Sequence, residues 1–164
     1  MPNDPLSRLI AATHRAHDAL VSADDKLLSD LGLSHARARI LATLAEQDGP
    51  RTVSQLARVL GVARQGVQRL TDDLAAAGFV AFQDNPGHVR AKLARLTEAG
   101  STAHAEAGRR RATWADGLGA GLSPTWLEIG GELLGLLRKR AATAAKPYPA
   151  RVCTPRRKIV DSVN

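Results

Sequence analysis

The stretch "TVSQLARVLGVARQGVQRLTDDLAAAGFV", residues 52–80, carries the pattern that decides the fold. Thr52 is followed three residues later by Gln55, the spacing of a capping box, which predicts the start of a helix. Gly61 predicts the end of that helix, and a second helix is predicted to follow immediately and to end at Gly78. Two short helices joined by a glycine-containing turn are typical of a helix-turn-helix.

The second of these helices has one apolar and one polar face. Its apolar residues fall within a narrow arc that predicts contact with a core: Val67, Leu70 and Leu74. Its polar residues lie just ahead of that arc or opposite it: Arg64, Gln65, Gln68, Arg69 and Asp72. Glutamine can hydrogen-bond adenine, arginine can hydrogen-bond guanine, and both can bind phosphate. From the helix alone, a DNA-reading face and an ordinary solvated face are equally good interpretations.

The next stretch, "FVAFQDNPGHVRAKLARLT", residues 79–97, predicts a β-hairpin. Its first four residues favour a strand, and "DNPG" is a turn signal. In the second half, side chains from Val89 onward are predicted to alternate between the two faces of a strand. One face carries Val89, Ala91, Leu93 and Arg95, and the other carries Arg90, Lys92 and Ala94. A hairpin directly behind a helix-turn-helix is a wing, and Arg90 and Lys92 are expected to point outward from it.

A narrow basic hairpin fits the minor groove of DNA beside a helix that fills the major groove. The alternative is an edge hairpin that carries charge to prevent aggregation. The helix and the wing together favour DNA binding over that alternative.

Long helices are predicted on both sides of this region. One spans residues 5–29 and closes at Gly32, and a shorter one follows Ser34 and stops at "QDGP". Two more are predicted after the hairpin, over residues 98–117 behind Thr97 and from Pro124 behind Ser123. Their apolar stripes are too long to be buried on a winged domain of this size, which predicts a homodimer.

Composition narrows the class of protein. Only 3% of the 164 residues are aromatic, which favours helices over sheets, and the net charge is +7. Residues 138–164 contain eight Lys or Arg and one Asp, whereas residues 1–137 contain equal numbers of acidic and basic residues. The charge excess therefore lies in the C-terminal part, and the isoelectric point does not by itself establish nucleic-acid binding.

Cellular location is predicted from what the sequence lacks. The start "MPNDPLSRLI" has no secretory pattern, and no apolar run is long enough to span a membrane. One cysteine, Cys153, fits a reducing compartment, so a soluble, cytoplasmic protein is expected.

From Leu33 to Gly100 the chain resembles the winged-helix core of the MarR family of bacterial transcriptional regulators. The most telling pieces are "TVSQLA", "RLTDDLAAAGFV" and "RAKLARLT". The resemblance implies a mainly α fold with a small β-hairpin wing, in which a winged helix-turn-helix domain is joined to a helical dimerisation domain. The expected regions are 1–32 and 97–145 for dimerisation, 33–96 for DNA binding, and 146–164 as a basic, flexible tail.

The resemblance also implies the functional residues. The reading helix places Gln65, Gln68 and Arg69 at DNA, and the wing arginine of the family corresponds to Arg90. The full set predicted to bind DNA is Thr52, Arg64, Gln65, Gln68, Arg69, Arg90 and Lys92. Members often carry an acidic residue two positions before the wing arginine, where this sequence has His88. The wing could therefore read DNA more loosely or with pH sensitivity, or simply have a different tip.

Family members commonly bind a small aromatic or phenolic effector in a cleft between the two domains. Candidate residues for such a site are Thr13, His17, Arg39 and Trp114, and Asp24 also interrupts the apolar seam of the first helix. The alternative is that these groups lie at interfaces and are satisfied by their neighbours.

Metal binding, phosphate binding and thiol oxidation are not the favoured interpretations of this sequence. His14 and His17 have a metal-compatible spacing that His35 or His104 could complete, but unligated histidines are the simpler interpretation. The run "GLGAG", residues 117–121, follows a helix and lacks the partners of a phosphate loop. Cys153 could respond to oxidation, but an exposed tail thiol is usually incidental. No enzyme activity, cofactor or metal is expected.

The predicted function is a homodimeric repressor that binds a pseudo-palindromic operator in double-stranded DNA and is released by a small effector. The repressor role rests on family habit alone. The alternative is a winged-helix module that binds protein, with a basic tail that contacts nucleic acid without specificity.

Overall fold

The computed structural model describes residues 4–46, 49–88 and 90–144, and the chain divides into two compact units, Met1–Leu118 and Gly119–Asn164. The elements in chain order are α1 (Pro5–Leu28), a 3-10 turn (Ser29–Leu31), α2 (His35–Glu46), β1 (Arg51–Thr52), α3 (Val53–Leu60), α4 (Arg64–Ala76), β2 (Val80–Gln83), β3 (Leu93–Leu96), α5 (Glu98–Gly119) and α6 (Pro124–Ala144). The mainly α fold with a small antiparallel sheet is confirmed. In the part of the chain that is described, no helix combines the length and hydropathy needed to cross a membrane.

The ends of the helix-turn-helix follow the predicted chemistry. The Thr52 hydroxyl accepts a hydrogen bond from the Gln55 amide N–H at 3.2 Å, and the Gln55 side chain accepts one from the Thr52 amide at 2.8 Å. Gly61 closes α3 in the left-handed conformation, with φ of 68°. In α4, Val67 and Leu74 are buried and Leu70 is half-buried. The capping-box and apolar-face predictions are confirmed.

The wing differs from the predicted alternation. Strand β3 begins only at Leu93, because β2 ends at Gln83 and that residue pairs with Leu93. Arg90 and Lys92 therefore belong to the loop before the strand. Ala94, which that alternation places on the same face as Arg90 and Lys92, is fully buried, because it belongs to the hydrophobic core. The predicted alternation is thus wrong, and Val89, from which it was counted, lies outside the described residues.

The neighbour on the far side of β3 is a strand that the sequence did not predict. Arg51 pairs with Ala94 and Thr52 with Leu93, giving the sheet order β1-β3-β2. A two-residue strand is too short to show any periodicity in sequence. The pairing holds the first turn of α3 against the base of the wing.

The core lies among α2, α3, α4 and the sheet, with smaller contributions from α1 and α5. Its largest fully buried side chains are Leu28, Ile40, Leu41, Leu56, Val67, Thr71 and Leu74. Helix α1 supplies only its last turn to this core, and its earlier apolar residues Leu6, Ile10 and Leu20 are exposed. Helix α5 supplies Ala103 and Ala107.

Helix α5 begins in close contact with the chain that leads into β2. The Thr97 hydroxyl donates to the Gly78 carbonyl at 2.7 Å and accepts from the Gly100 amide at 3.0 Å. The Thr97 amide donates to the Phe79 carbonyl at 3.1 Å. A β-carbon on Gly100 would overlap that carbonyl oxygen and lie 2.9 Å from its carbon. Only glycine lets the helix and this backbone approach so closely.

We expect Gly100→Ala to lower the free energy of unfolding by more than about 2 kcal/mol, because backbone must move to make room for the methyl group. Gly108 is the matched control, since it lies in the same helix and a β-carbon there would meet nothing within 4 Å. Gly108→Ala should stabilise the protein by about 0.5–1 kcal/mol. Urea unfolding at one fixed protein concentration measures both. Equal effects of the two substitutions would contradict the close approach at Gly100.

Candidate nucleic-acid interface

A cleft of about 400 Å³ lies between the start of α3, the polar face of α4 and the wing loop. Its lining residues are Thr52, Val53, Ser54, Arg64, Gln68, Asp72, Phe82, Arg90, Ala91 and Lys92. Five of the seven residues predicted to bind DNA are thus brought together: Thr52, Arg64, Gln68, Arg90 and Lys92. We call this feature the reading cleft.

The other two predicted residues, Gln65 and Arg69, are exposed on the outer side of α4. They line a shallow depression together with Arg64, Gln68, Asp72 and Asp73. Because Arg64, Gln68 and Asp72 line both this depression and the reading cleft, the two form one continuous polar surface along α4.

The reading cleft carries an excess of positive charge. Arg64, Arg90 and Lys92 line it, and Asp72 is the one carboxylate among its lining residues. Within residues 4–46, 49–88 and 90–144, these three cations show no hydrogen bond or ion pair with another residue, so their donors face solvent. Uncompensated cations beside a polar helix form a surface complementary to a phosphate backbone.

Thr52 lines the cleft, but its hydroxyl is engaged elsewhere. It accepts from the Gln55 amide and lies 3.1 Å from the Gln55 side-chain oxygen, to which it can donate. The role of Thr52 that the structure shows is therefore to cap α3.

The loop of the wing is organised by its own backbone. The His88 amide donates to the Asn85 carbonyl and the Ala91 amide donates to the His88 carbonyl, both at 3.0 Å. The Asn85 side chain accepts from the Gly87 amide at 3.1 Å. His88 and Arg90 are both exposed. Among the described residues, Arg90 makes no ion pair with an acidic side chain.

The four candidate effector residues, Thr13, His17, Arg39 and Trp114, do not line one common pocket among the described residues. The Thr13 hydroxyl donates to the Leu9 carbonyl of its own helix at 2.9 Å, and His17 is exposed. The Arg39 guanidinium donates to the Leu60 carbonyl at 3.3 Å. Trp114 lines a separate groove of about 470 Å³ with Leu27, Glu106, Arg109, Arg110 and Thr113. Thr13, His17 and Arg39 are not among the residues that line this groove.

Asp24 takes part in an ion-pair network that joins α1, α2 and α5. It is only 4% exposed, and its carboxylate accepts from Arg111 at 2.6 and 2.8 Å and lies 2.8 Å from Nδ1 of His35. The hydrogen bonds from Arg111, followed by that from His35, lower the pKa of Asp24 below its ordinary value. For Asp24 the structure therefore supports the alternative of a buried group satisfied by its neighbours.

Sequence reasoning missed this network, because Arg111 and Asp24 are 87 residues apart and no periodicity links them. For His35 the sequence suggests only a role as a metal ligand. In the described part of the chain, no group of three or more His, Cys, Asp or Glu side chains has a metal-binding arrangement. Cys153 and the basic tail lie outside the described residues.

We expect Arg111→Ala to lower the free energy of unfolding by about 3 kcal/mol, because it leaves a buried carboxylate without its main partner. Arg109→Ala is the matched control from the same helix, since Arg109 pairs with Glu106 at an exposed site. That substitution should cost less than about 1 kcal/mol. Chemical denaturation of both variants measures the difference, and similar losses would contradict a special role for the Asp24 network.

The lowered pKa of Asp24 also predicts how stability depends on pH. A carboxyl whose pKa is lower in the folded state stabilises the fold above its unfolded pKa of about 3.9, and this contribution is lost as the pH falls through the folded value. The difference in unfolding free energy between the wild type and Asp24→Asn should therefore be largest near neutral pH and shrink below about pH 4. Denaturation at several pH values measures it. In an Arg111→Ala background, the change of this difference with pH should be smaller, because Arg111 is the main cause of the lowered pKa of Asp24. If the difference between the wild type and Asp24→Asn does not change with pH, the assignment is wrong.

Comparison with known proteins places this arrangement in a family. A model of the MarR family matches residues 31–91, which include the whole helix-turn-helix and most of the wing. Uncharacterized proteins of Mycobacterium tuberculosis and Mycobacterium bovis are 36% identical over 98 residues, which span 60% of this chain and 67% of theirs.

Solved structures show the same fold over most of the chain. A MarR family transcriptional regulator from Streptomyces coelicolor is 29% identical, with a TM-score of 0.71 over 85% of this chain and 95% of that one. Another MarR family transcription regulator has a TM-score of 0.79 at 22% identity, over 87% of this chain and 94% of that one. A mutant MarR from E. coli, complexed with operator DNA, has a TM-score of 0.71 at 24% identity, over 81% and 93% of the two chains.

The fold, the reading cleft and these similarities define the class as winged helix-turn-helix transcription regulators. The chain belongs to the MarR family.

Proposed function

We propose that the protein is a homodimeric, sequence-specific DNA-binding transcriptional regulator that places α4 in the major groove and its wing at the adjacent backbone and minor groove. The observation that carries this proposal is the reading cleft. It joins the polar row of α4 to Arg90 and Lys92 of the wing loop, and the donors of its cations face solvent.

The two parts of the cleft suit different parts of a duplex. Gln65, Gln68 and Arg69 extend along one side of a helix whose opposite side is buried, so that this side can approach base edges. Arg90 and Lys92 are carried by the wing loop, which lines the same cleft as α4. Basic side chains beside a helix in the major groove suit phosphates and a narrow groove. Contacts of the first kind select sequence, and contacts of the second kind position the protein.

Pairing of two chains is supported by apolar side chains that one chain leaves exposed. Every residue of α6 is at least partly accessible, and its large exposed apolar residues are Trp126, Leu127, Ile129, Leu133, Leu134 and Leu136. Helix α1 exposes Leu6, Ile10 and Leu20. Burial of such faces drives association. Residues 1–32 and 97–145 are therefore proposed to form the dimerisation region, and residues 33–96 the DNA-binding domain.

A two-fold dimer implies a two-fold operator. Two copies of α4 would read half-sites separated by about one helical turn, roughly 34–36 Å, in a pseudo-palindromic sequence. Two short reading helices together give a selectivity that one alone lacks.

The proposal includes repression and its release by a small aromatic or phenolic molecule. The groove beside Trp114, which is also lined by Leu27, Glu106, Arg109, Arg110 and Thr113, offers one place for such a molecule. Membership in a family of transcription regulators favours a non-enzymatic role, and the proposed function includes no catalytic step.

The first test is a fluorescence-anisotropy titration of the full chain with duplex DNA from immediately upstream of its own gene and with a scrambled duplex. We expect selective binding at one dimer per site. Arg90→Ala should weaken binding to both duplexes and lower the slope of log K against log salt by about 0.9, the value for one lost phosphate contact. Arg109→Ala, a cation outside the reading cleft, should leave the slope unchanged.

The alternative function, a protein-binding module with a basic tail, makes the opposite prediction. Truncation after Ala145 would then abolish DNA binding, while Arg90→Ala would have no effect. Equal, weak binding to both duplexes that disappears in salt would also favour the alternative.

A further inference from the structure

Three residues of α4 follow one another at intervals of about one helical turn: Arg64, Gln68 and Asp72. They line both the reading cleft and the shallow depression beside it. Asp72 is out of place on electrostatic grounds. A carboxylate among cations that face phosphate weakens DNA binding by repulsion. Complementarity to phosphate therefore does not explain a carboxylate at this position.

The contact that Asp72 makes gives that role. The side-chain amide nitrogen of Gln68 donates to Oδ1 of Asp72 at 2.9 Å. Since an ionised carboxylate can only accept, the nitrogen of the Gln68 amide and not its oxygen must face Asp72. The contact thus fixes the orientation of the Gln68 amide, with its nitrogen toward Asp72.

The rest of the Gln68 amide stays available. Gln68 is half-buried in the reading cleft, and among the residues that the structure describes its side chain makes no second hydrogen bond. Its oxygen can accept, and the remaining N–H of its nitrogen can donate. Held by Asp72, the amide presents an acceptor and a donor side by side in a fixed order.

Adenine is the base that matches this pair in the major groove. Its N6 amino group donates and its N7 accepts, so the Gln68 oxygen and nitrogen can both be satisfied at once. Guanine presents two acceptors, O6 and N7, one of which would face the Gln68 oxygen. Cytosine offers only a donor and thymine only an acceptor beside a methyl group.

We propose that Asp72 is a positioning residue that orients the Gln68 amide to read adenine, so that each half-site contains an adenine recognised by Gln68. This inference rests on the proposed function, and it adds the identity of one base and the residue that enforces it.

The test begins with selection of binding sites by the full chain from a random duplex library. Anisotropy titrations then compare the selected duplex with one in which a single adenine is replaced by guanine in each half-site. For the wild type we expect the adenine duplex to bind roughly 5- to 150-fold more tightly at one position per half-site. Gln68→Ala should remove that preference at the same position.

The variant that tests the positioning role is Asp72→Ala. Removing the charge should raise affinity for both duplexes, whereas freeing the Gln68 amide to rotate should reduce the adenine-to-guanine ratio by about threefold to tenfold. Asp72→Asn loses the charge but keeps an oxygen that can accept from Gln68, and it should retain more of the ratio than Asp72→Ala. In the Gln68→Ala background, Asp72→Ala should no longer change the ratio.

Asp84→Ala is the matched control, because Asp84 is an exposed carboxylate of the wing and makes no contact with Gln68. It removes the same charge and should leave the ratio unchanged. A purely electrostatic role for Asp72 would shift affinity for all duplexes equally, as Asp84→Ala does, and this result would overturn the inference.

Failure of the inference can be told apart from failure of the proposed function. If the wild type selects a defined site but no adenine in it depends on Gln68, or if the preference survives Asp72→Ala intact, only the inference is overturned. If the wild type selects no site and binds all duplexes equally, the proposed function fails and the inference fails with it.

Discussion

The pairing of two residues, Arg51 and Thr52, with the central strand of the wing is the constraint on which the candidate interface depends. Thr52 has two roles at once, since its backbone pairs with Leu93 and its side chain caps α3. The start of the helix-turn-helix and the base of the wing are therefore held in one ladder. Without this pairing, a hairpin with four paired positions would be a marginal structure on its own. The reading cleft depends on this sheet, because β2 contacts α4 and the wing loop connects β2 to β3.

A second set of contacts fixes α5 and α1 to this unit. Thr97 and Gly100 bring the start of α5 against the backbone that leads into β2. Arg111, about one turn beyond the last buried alanine of α5, binds Asp24 of α1. His35, at the first turn of α2, contacts the same carboxylate. Because one buried carboxylate serves three helices, a shift of any of them leaves charge unpaired in a poorly solvated place. The network therefore favours one relative arrangement of these helices within the unit.

The sequence predicted those features whose causes are local. The capping box at Thr52, the glycine at residue 61 and the apolar arc of α4 each depend on residues within a few positions of one another, and all three are confirmed. The family resemblance is confirmed for the same region. By contrast, the register of the wing depends on where β2 ends and on β1, whose Arg51 pairs with Ala94, 43 residues further along the chain. Local alternation contains no information on either.

The candidate site shows the same division. The order of helix and wing predicts that Arg64, Gln68 and Arg90 belong to one surface. The role of Asp72 could not be predicted, because it depends on a side-chain contact with Gln68 and not on residue type alone. In the sequence Asp72 is one more polar residue on a solvated face. In the structure it opposes the charge of its surroundings while fixing the donor and acceptor order of Gln68. Overall affinity for DNA comes mainly from cations, which any phosphate satisfies, whereas discrimination between bases requires a group held in one orientation. A carboxylate that weakens the first and enforces the second suits the proposed regulator, which would have to find one site among many.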